Sequence, residues 1–140
     1  MTKQMLLKVA AVMILGMLAL PAFAQNAAIT LNIPFSFQMG NKSYPAGAYG
    51  FTTIREDVLV LTKDGRVNQG MSLANHIASQ QWNDRRAEVR FQCYEQECFV
   101  SQVWIPGIDG GLELRPSKVE QELAARTTGK YMALLATPQR

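Results

Sequence analysis

Residues 87–105 read AEVRFQCYEQECFVSQVWI, and this stretch decides the fold. Apolar and polar side chains alternate on both sides of a short polar turn, with Cys93 and Cys98 flanking it. Alternation with period two fits a pleated strand that buries one face, so the stretch reads as a β-hairpin. Setting Cys93 opposite Cys98 places Phe91 against Val100, Val89 against Gln102 and Ala87 against Trp104. In that register Val89, Phe91, Cys93, Cys98, Val100 and Trp104 share one side, and Glu88, Arg90, Gln92 and Tyr94 take the other. The second strand carries Phe99, Val103 and Ile105 on that other side as well. Being apolar on both faces, it is expected at the centre of a sheet.

Far upstream, Lys3 and Lys8 lead into an apolar run over residues 9–20. Pro21 then precedes Ala22-Phe23-Ala24, which has small residues at the two positions a signal peptidase reads. Residues 1–24 are therefore expected to be a cleaved export signal and residues 25–140 one domain, periplasmic or extracellular. The apolar run is too short, and too soon broken by proline, for a membrane span. Processing leaves 12 basic and 11 acidic residues, a net charge of +1, so the basic balance of the whole chain says little about partners. Nucleic-acid binding needs a concentrated positive field. Beyond Arg85-Arg86 there is none, and that class is set aside.

The remaining 116 residues suffice for one modest core. Two cysteines in an exported chain point to one disulfide, Cys93–Cys98. Closing so small a loop stabilises by about 2 kcal/mol in the chain-entropy account. Two cysteines without a nearby histidine do not complete a tetrahedral set, so neither a metal nor another cofactor is expected.

Between the leader and the hairpin, the clearest alternation is Ile29, Leu31, Ile33, Phe35, Phe37 and Met39 against polar neighbours. Pro34 lacks a backbone donor and is expected to put this strand at an edge or break it in two. A turn at Gly40-Asn41-Lys42 and the bend at Pro45-Ala46-Gly47 lead to a strand over 48–54. Residues 58–62 and 67–74 form a second hairpin around Asp64-Gly65, with Gly70 marking a weak point or a bulge. Residues 75–86 read as the longest polar connection and 106–111 as a flexible loop. Ser117-Lys118-Val119-Glu120 matches a capping box. The spacing predicts a short helix running from it to about residue 126, with Val119 and Leu123 facing inward. A last strand covers 130–137. This pattern of elements gives a mainly β chain, an antiparallel β-sandwich or small β-barrel with one short helix.

Three stretches together, IPFSFQMGNKSYPAGAY at 33–49, FQCYEQECFVSQVW at 91–104 and SKVEQELA at 117–124, carry a resemblance. They resemble a family of short exported bacterial proteins, common in soil bacteria, with a Pro-Phe-x-Phe-x-x-Gly…Pro-Ala-Gly-x-Tyr signature. Its matching positions here are Pro34, Phe35, Phe37, Gly40, Pro45, Ala46, Gly47, Tyr49, Phe91, Tyr94, Phe99, Val103 and Trp104. The resemblance implies export, this hairpin and a C-terminal Ser-x-x-Glu helix, and it carries over no catalytic or binding residue. It also implies a glycine after the hairpin tyrosine, where this chain has Glu95, and it does not account for the cysteine pair.

Candidate chemistry is sparse. His76 has Ser72, Ser79 and Asp84 near it in sequence, but neither serine has the glycine framing of a nucleophile elbow. The carboxylate pairs Glu56-Asp57, Glu95 with Glu97 and Glu120 with Glu122 read as solvated turn or helix-face charges. Asp109-Gly110-Gly111 with Glu113 lacks the ligand count of a calcium loop. The expectation is a non-enzymatic exported binding or interaction module whose partner is an unknown protein. A barrel holding a small apolar ligand is the second reading, and a hydrolase using His76 or a carboxylate pair the third. Loops on rigid scaffolds commonly carry function, so Trp82, Arg85, Arg86 and Asp109 are the candidate contacts. A membrane barrel fits least, since segments such as 58–62 fall below the roughly 9–11 residues a spanning strand needs. Expressed with its leader in an export-competent bacterium, the protein should be recovered with Gln25 as its first residue. Intact-mass measurement on the periplasmic fraction checks this, and retention of residues 1–24 would contradict it.

Overall fold

The computed structural model describes residues 27–64, 67–78, 86–108 and 110–139. The expected leader, Trp82, Arg85, Asp109 and the glycine of the Asp64-Gly65 turn lie outside them. Strand β1 (Ala28–Ile33) stops just before Pro34, and β2 (Phe37–Met39) resumes the same alternation beyond it. The proline therefore breaks the strand, as its missing donor requires. The hairpin partner β3 (Lys42–Tyr44) leads into β4 (Gly47–Arg55), β5 (Val58–Lys63) and the long β6 (Val67–Ile77). The hairpin at the head of the sequence reading is β7 (Glu88–Tyr94) and β8 (Glu97–Trp104). After it come β9 (Gly111–Leu114), helix α1 (Lys118–Arg126), β10 (Lys130–Leu135) and β11 (Thr137–Gln139).

Among the described residues the strands form one sheet in the order β10-β7-β8-β9-β6-β5-β4-β1-β11, with β2 joined to β8 and β3. The two end strands are neighbours in the chain, divided by Ala136, and do not pair with each other. The sheet is not closed into a barrel. It folds over instead as a sandwich-like pair of layers. β6 makes one corner by pairing β5 through Val58↔Leu73 and β9 through Ala74↔Leu114. Ala136 makes the other: β10 pairs β7 before it and β11 pairs β1 after it. Corners of this kind arise where one strand passes from layer to layer.

The interior is aromatic. Phe37 lies 5.1 Å from Tyr49, 5.5 Å from Tyr44 and 5.9 Å from Phe91, and Phe35 reaches Phe91 at 5.1 Å. Ile29, Ile33, Phe51, Leu59, Leu61, Val89, Val103 and Leu112 surround these rings, all fully buried. Edge-to-face pairs add roughly 0.5–1.5 kcal/mol each beyond the area they bury. The Tyr49 hydroxyl donates to the Pro45 carbonyl at 2.7 Å, tying the Pro-Ala-Gly-x-Tyr bend into a closed loop. At Gly70 the Tyr44 hydroxyl occupies the space a Cβ would need, and it donates to Gln69 O at 3.3 Å. The register slips there, between Leu61↔Gly70 and Thr62↔Asn68, so the sequence expectation of a bulge holds.

A second bulge corrects the hairpin register. Cys93↔Cys98 and Phe91↔Val100 pair as expected, and the two cysteines form a disulfide. The next pair is Arg90↔Gln102, followed by Val89↔Val103 and Glu88↔Trp104, so Ser101 is an extra residue in β8. A one-residue slip exchanges the faces of every side chain beyond it. Val103 and Ile105 consequently enter the core, whereas Trp104, expected there beside Val89, lies on the outer face. Trp104 is still buried, because Arg90 sits over its indole at 5.4 Å and the ring lies on Gly111. A Cβ at Gly111 would come within 2.8 Å of that ring.

The turn of this hairpin is two residues long, Glu95-Gln96, and Glu95 has φ 55°. An L-residue is strained in that region and glycine is not. Glu95→Gly should raise stability by about 0.5–1 kcal/mol after the larger chain entropy of glycine is deducted. Urea denaturation of the two proteins checks this, with an unchanged or lowered midpoint as the contrary result.

Candidate functional site

Helix α1 begins where the sequence places it. Ser117 is the N-cap, its Oγ accepting the Glu120 N–H at 3.2 Å, and the Glu120 carboxyl accepts the Ser117 backbone N–H in return. Both halves of the capping box are made. The expected inward stripe is not. Val119 is 48% exposed, whereas Glu120 is only 7% exposed and Leu123 is half-buried. The helix turns Glu120 and Leu123, one i, i+3 row, toward the outer face of the sheet.

That face is where the Glu120 carboxyl meets the hairpin. Tyr94, at the end of β7, is buried beside Phe99 at 6.1 Å and hydrogen-bonds the Glu120 carboxyl through its hydroxyl. Burial pushes the Glu120 carboxyl above its ordinary value of 4.5, and the bonds from Ser117 and Tyr94 offset part of that rise. Burial also raises the Tyr94 phenol, helped by the Glu120 charge and by Tyr131. Across the ladder from Tyr131 stands Gln92, whose Oε1 is buried with no hydrogen-bond partner. A Cβ at Gly129 would strike the Gln92 amide, so the glycine lets the chain close over this group.

These groups line a cleft of about 400 Å³, together with Asn75, Ser101, Glu113, Arg115 and Pro116. The position of the cleft follows from the bulge. One edge of β8 is held by β7 throughout. The other edge is shared, by β2 at Cys98 and Phe99 and by β9 at Gln102 and Val103. Ser101 falls between these two partners and lines the cleft together with Glu120 of α1. Beside the cleft runs a polar ladder. Arg90 pairs with Glu88 and donates to Gln102 Oε1 at 3.2 Å, and Gln102 Nε2 donates to Glu113 Oε1 at 3.2 Å.

Of the candidate contacts read from sequence, Arg86 is exposed just ahead of β7, and the other three lie outside the described residues. Of the two loops that carry these candidates, the first leaves β6 beside the end of the second, where Gly110 (φ 81°) packs against the Ile77 carbonyl. The first is shorter than expected: Asn75 and His76 belong to β6. His76 is exposed and pairs with Leu112. Ser72, four residues back on the same strand and so roughly 13 Å away, donates to the Leu73 carbonyl at 3.3 Å. Glu56 and Asp57 are exposed in the β4–β5 turn and Glu95 and Glu97 at the tip of the β7–β8 hairpin. The third carboxylate pair was expected on an exposed helix face, and Glu120 corrects that by being buried while Glu122 is exposed. Among the described residues there is no cluster of three His, Cys, Asp or Glu able to hold a metal, and no helix long and apolar enough to cross a membrane.

No family model, curated protein or solved structure matches the chain.

The capping box singles out Glu120 in the sequence but not the direction of its side chain, and no other residue of the cleft carries a local signal. A carboxyl whose pKa is raised on folding adds stability below its unfolded pKa, and that stability is lost as pH rises through the folded pKa. Glutamine can keep the cap without titrating. The melting temperature of Glu120→Gln minus that of the native protein should therefore grow more positive from about pH 4 to pH 8. A difference that is flat or falls with pH would contradict the burial of an ionisable group here.

Proposed function

We propose that the protein is an exported, soluble, non-enzymatic binding module that holds a small polar molecule in the cleft between helix α1 and the outer face of β6 to β10. One observation carries this reading: a cleft of about 400 Å³ holds a buried carboxyl, Glu120, beside Tyr94, with the side chains of Gln92 and Glu113 in the same lining. Binding sites of this kind combine a few convergent polar groups with aromatic walls, which here are Tyr94 and Tyr131.

The apolar-ligand reading asks for room in the interior, where Phe37, Phe51 and Phe91 are buried, each at most 1% exposed. The hydrolase reading asks for His76 to orient a serine or for a carboxylate pair to face a cleft. Ser72 and His76 stand apart on β6, and of the three carboxylate pairs read from sequence only Glu120 lines the cleft, without its partner Glu122.

Native mass spectrometry on the mature chain from its own source tests the reading. The expected result is a non-covalent adduct with the mass of a small polar molecule, lost on denaturation and reduced in a Tyr131→Ala protein. A bare protein, or a lipid adduct indifferent to that substitution, would contradict it.

A further inference from the structure

The chemistry of the cleft specifies its ligand more closely, on the footing that the cleft is the binding site. Acceptors dominate the lining. Glu120 and Glu113 bring two carboxyls, and Gln92 and Asn75 bring side-chain amides. The one cation in the lining, Arg115, is exposed at the rim, where Pro116 follows it into the helix cap. Tyr131 is 74% exposed and stands beside Tyr94, so an aromatic face is open at the mouth. A buried carboxyl, a second carboxyl beside it in the lining and an accessible ring together suit a group that is positive and rich in donors. An anion would meet two carboxyls. A neutral hydroxyl would leave the ring and the charge unused.

We infer that the cleft binds a small molecule through a primary ammonium group, with the Glu120 carboxylate accepting its protons and Tyr131 covering its face. Three donors on one nitrogen suit the two oxygens of one carboxylate and leave one for Glu113 or water. The pair balances charge locally: the ammonium enters as Glu120 gives up its proton to solvent, so binding releases a proton whenever Glu120 starts protonated. Affinity should then rise with pH as Glu120 ionises. The charged and titratable groups facing it are Glu113 on β9, Arg115 after β9, Tyr94 on β7 and Tyr131 on β10. A Glu113→Gln protein separates the part of the second carboxyl.

The experiment is an NMR titration of the isotopically labelled mature chain with four probes of similar size: butylamine, tetramethylammonium, butanol and butyrate. Butylamine should produce saturable shifts at Gln92, Tyr94, Glu120 and Tyr131. Tetramethylammonium, which has charge but no donors, should bind more weakly, and butanol and butyrate should leave those signals in place. Glu120→Gln, which keeps the helix cap, should weaken butylamine by about tenfold or more, as loss of one partner of a buried charge pair does. Tyr131→Ala changes only an exposed ring, so it reports on binding without endangering the fold, and should weaken butylamine several-fold. Saturation of the cleft by butanol or butyrate at equal affinity would overturn the ammonium inference and leave a binding cleft of another specificity. Silence at the cleft from all four probes would overturn the inference and the cleft reading together.

Discussion

The structure depends on one extra residue in β8. Side chains on a strand alternate strictly, so inserting Ser101 between the Phe91↔Val100 and Arg90↔Gln102 pairs exchanges inside and outside for the rest of the strand. Before the bulge, Val100 faces the aromatic core. After it, Val103 and Ile105 do, while Gln102 and Trp104 turn outward. Without the slip, Gln102 would be driven into the core, and a buried unmet amide costs several times what a methylene contributes. The same residue opens the edge of β8 between β2 and β9, where the cleft forms. Fold and candidate site therefore share a cause.

Around that bulge the polar outer face is built to stay polar. Arg90 lies over Trp104, pairs with Glu88 and reaches Gln102, which passes the chain of hydrogen bonds on to Glu113. Exposed pairs of this type contribute little singly; here they hold an indole flat against Gly111 and keep the far wall of the cleft in place. Helix α1 supplies the near wall. Its capping box holds the Glu120 carboxyl to the helix start, and Tyr94 takes it up from the sheet.

Much of the fold was legible because it rests on local rules. Pro34 broke its strand, Gly70 marked a bulge, Ser117 and Glu120 capped the helix, and Cys93 found Cys98. Several aromatic positions explain themselves the same way. Phe35, Phe37, Tyr49 and Phe91 are one ring cluster, and Pro45 accepts the bond from Tyr49 that closes its bend. They describe a folding motif rather than a site. What was not legible needed long-range geometry. Alternation around Ser101 looks the same with or without a bulge until Gln102 must choose a face. On the helix, Val119 and Leu123 had the spacing of an inward stripe, yet Tyr94 on a distant strand offered Glu120 a partner, and the helix rolled toward it. Gln92, Ser101 and Tyr131 had no distinguishing sequence signal, since their importance comes only from being brought together.

The rest thus stands on the register of the β7–β8 hairpin, and nuclear Overhauser contacts in the protein measure it directly. The account predicts contacts between the Val89 and Val103 methyls, and between the Trp104 indole and both Arg90 and Gly111. Contacts linking Trp104 to Ala87 and Val89 to Gln102 would show an unbroken register, and would contradict both the bulge and the cleft it opens.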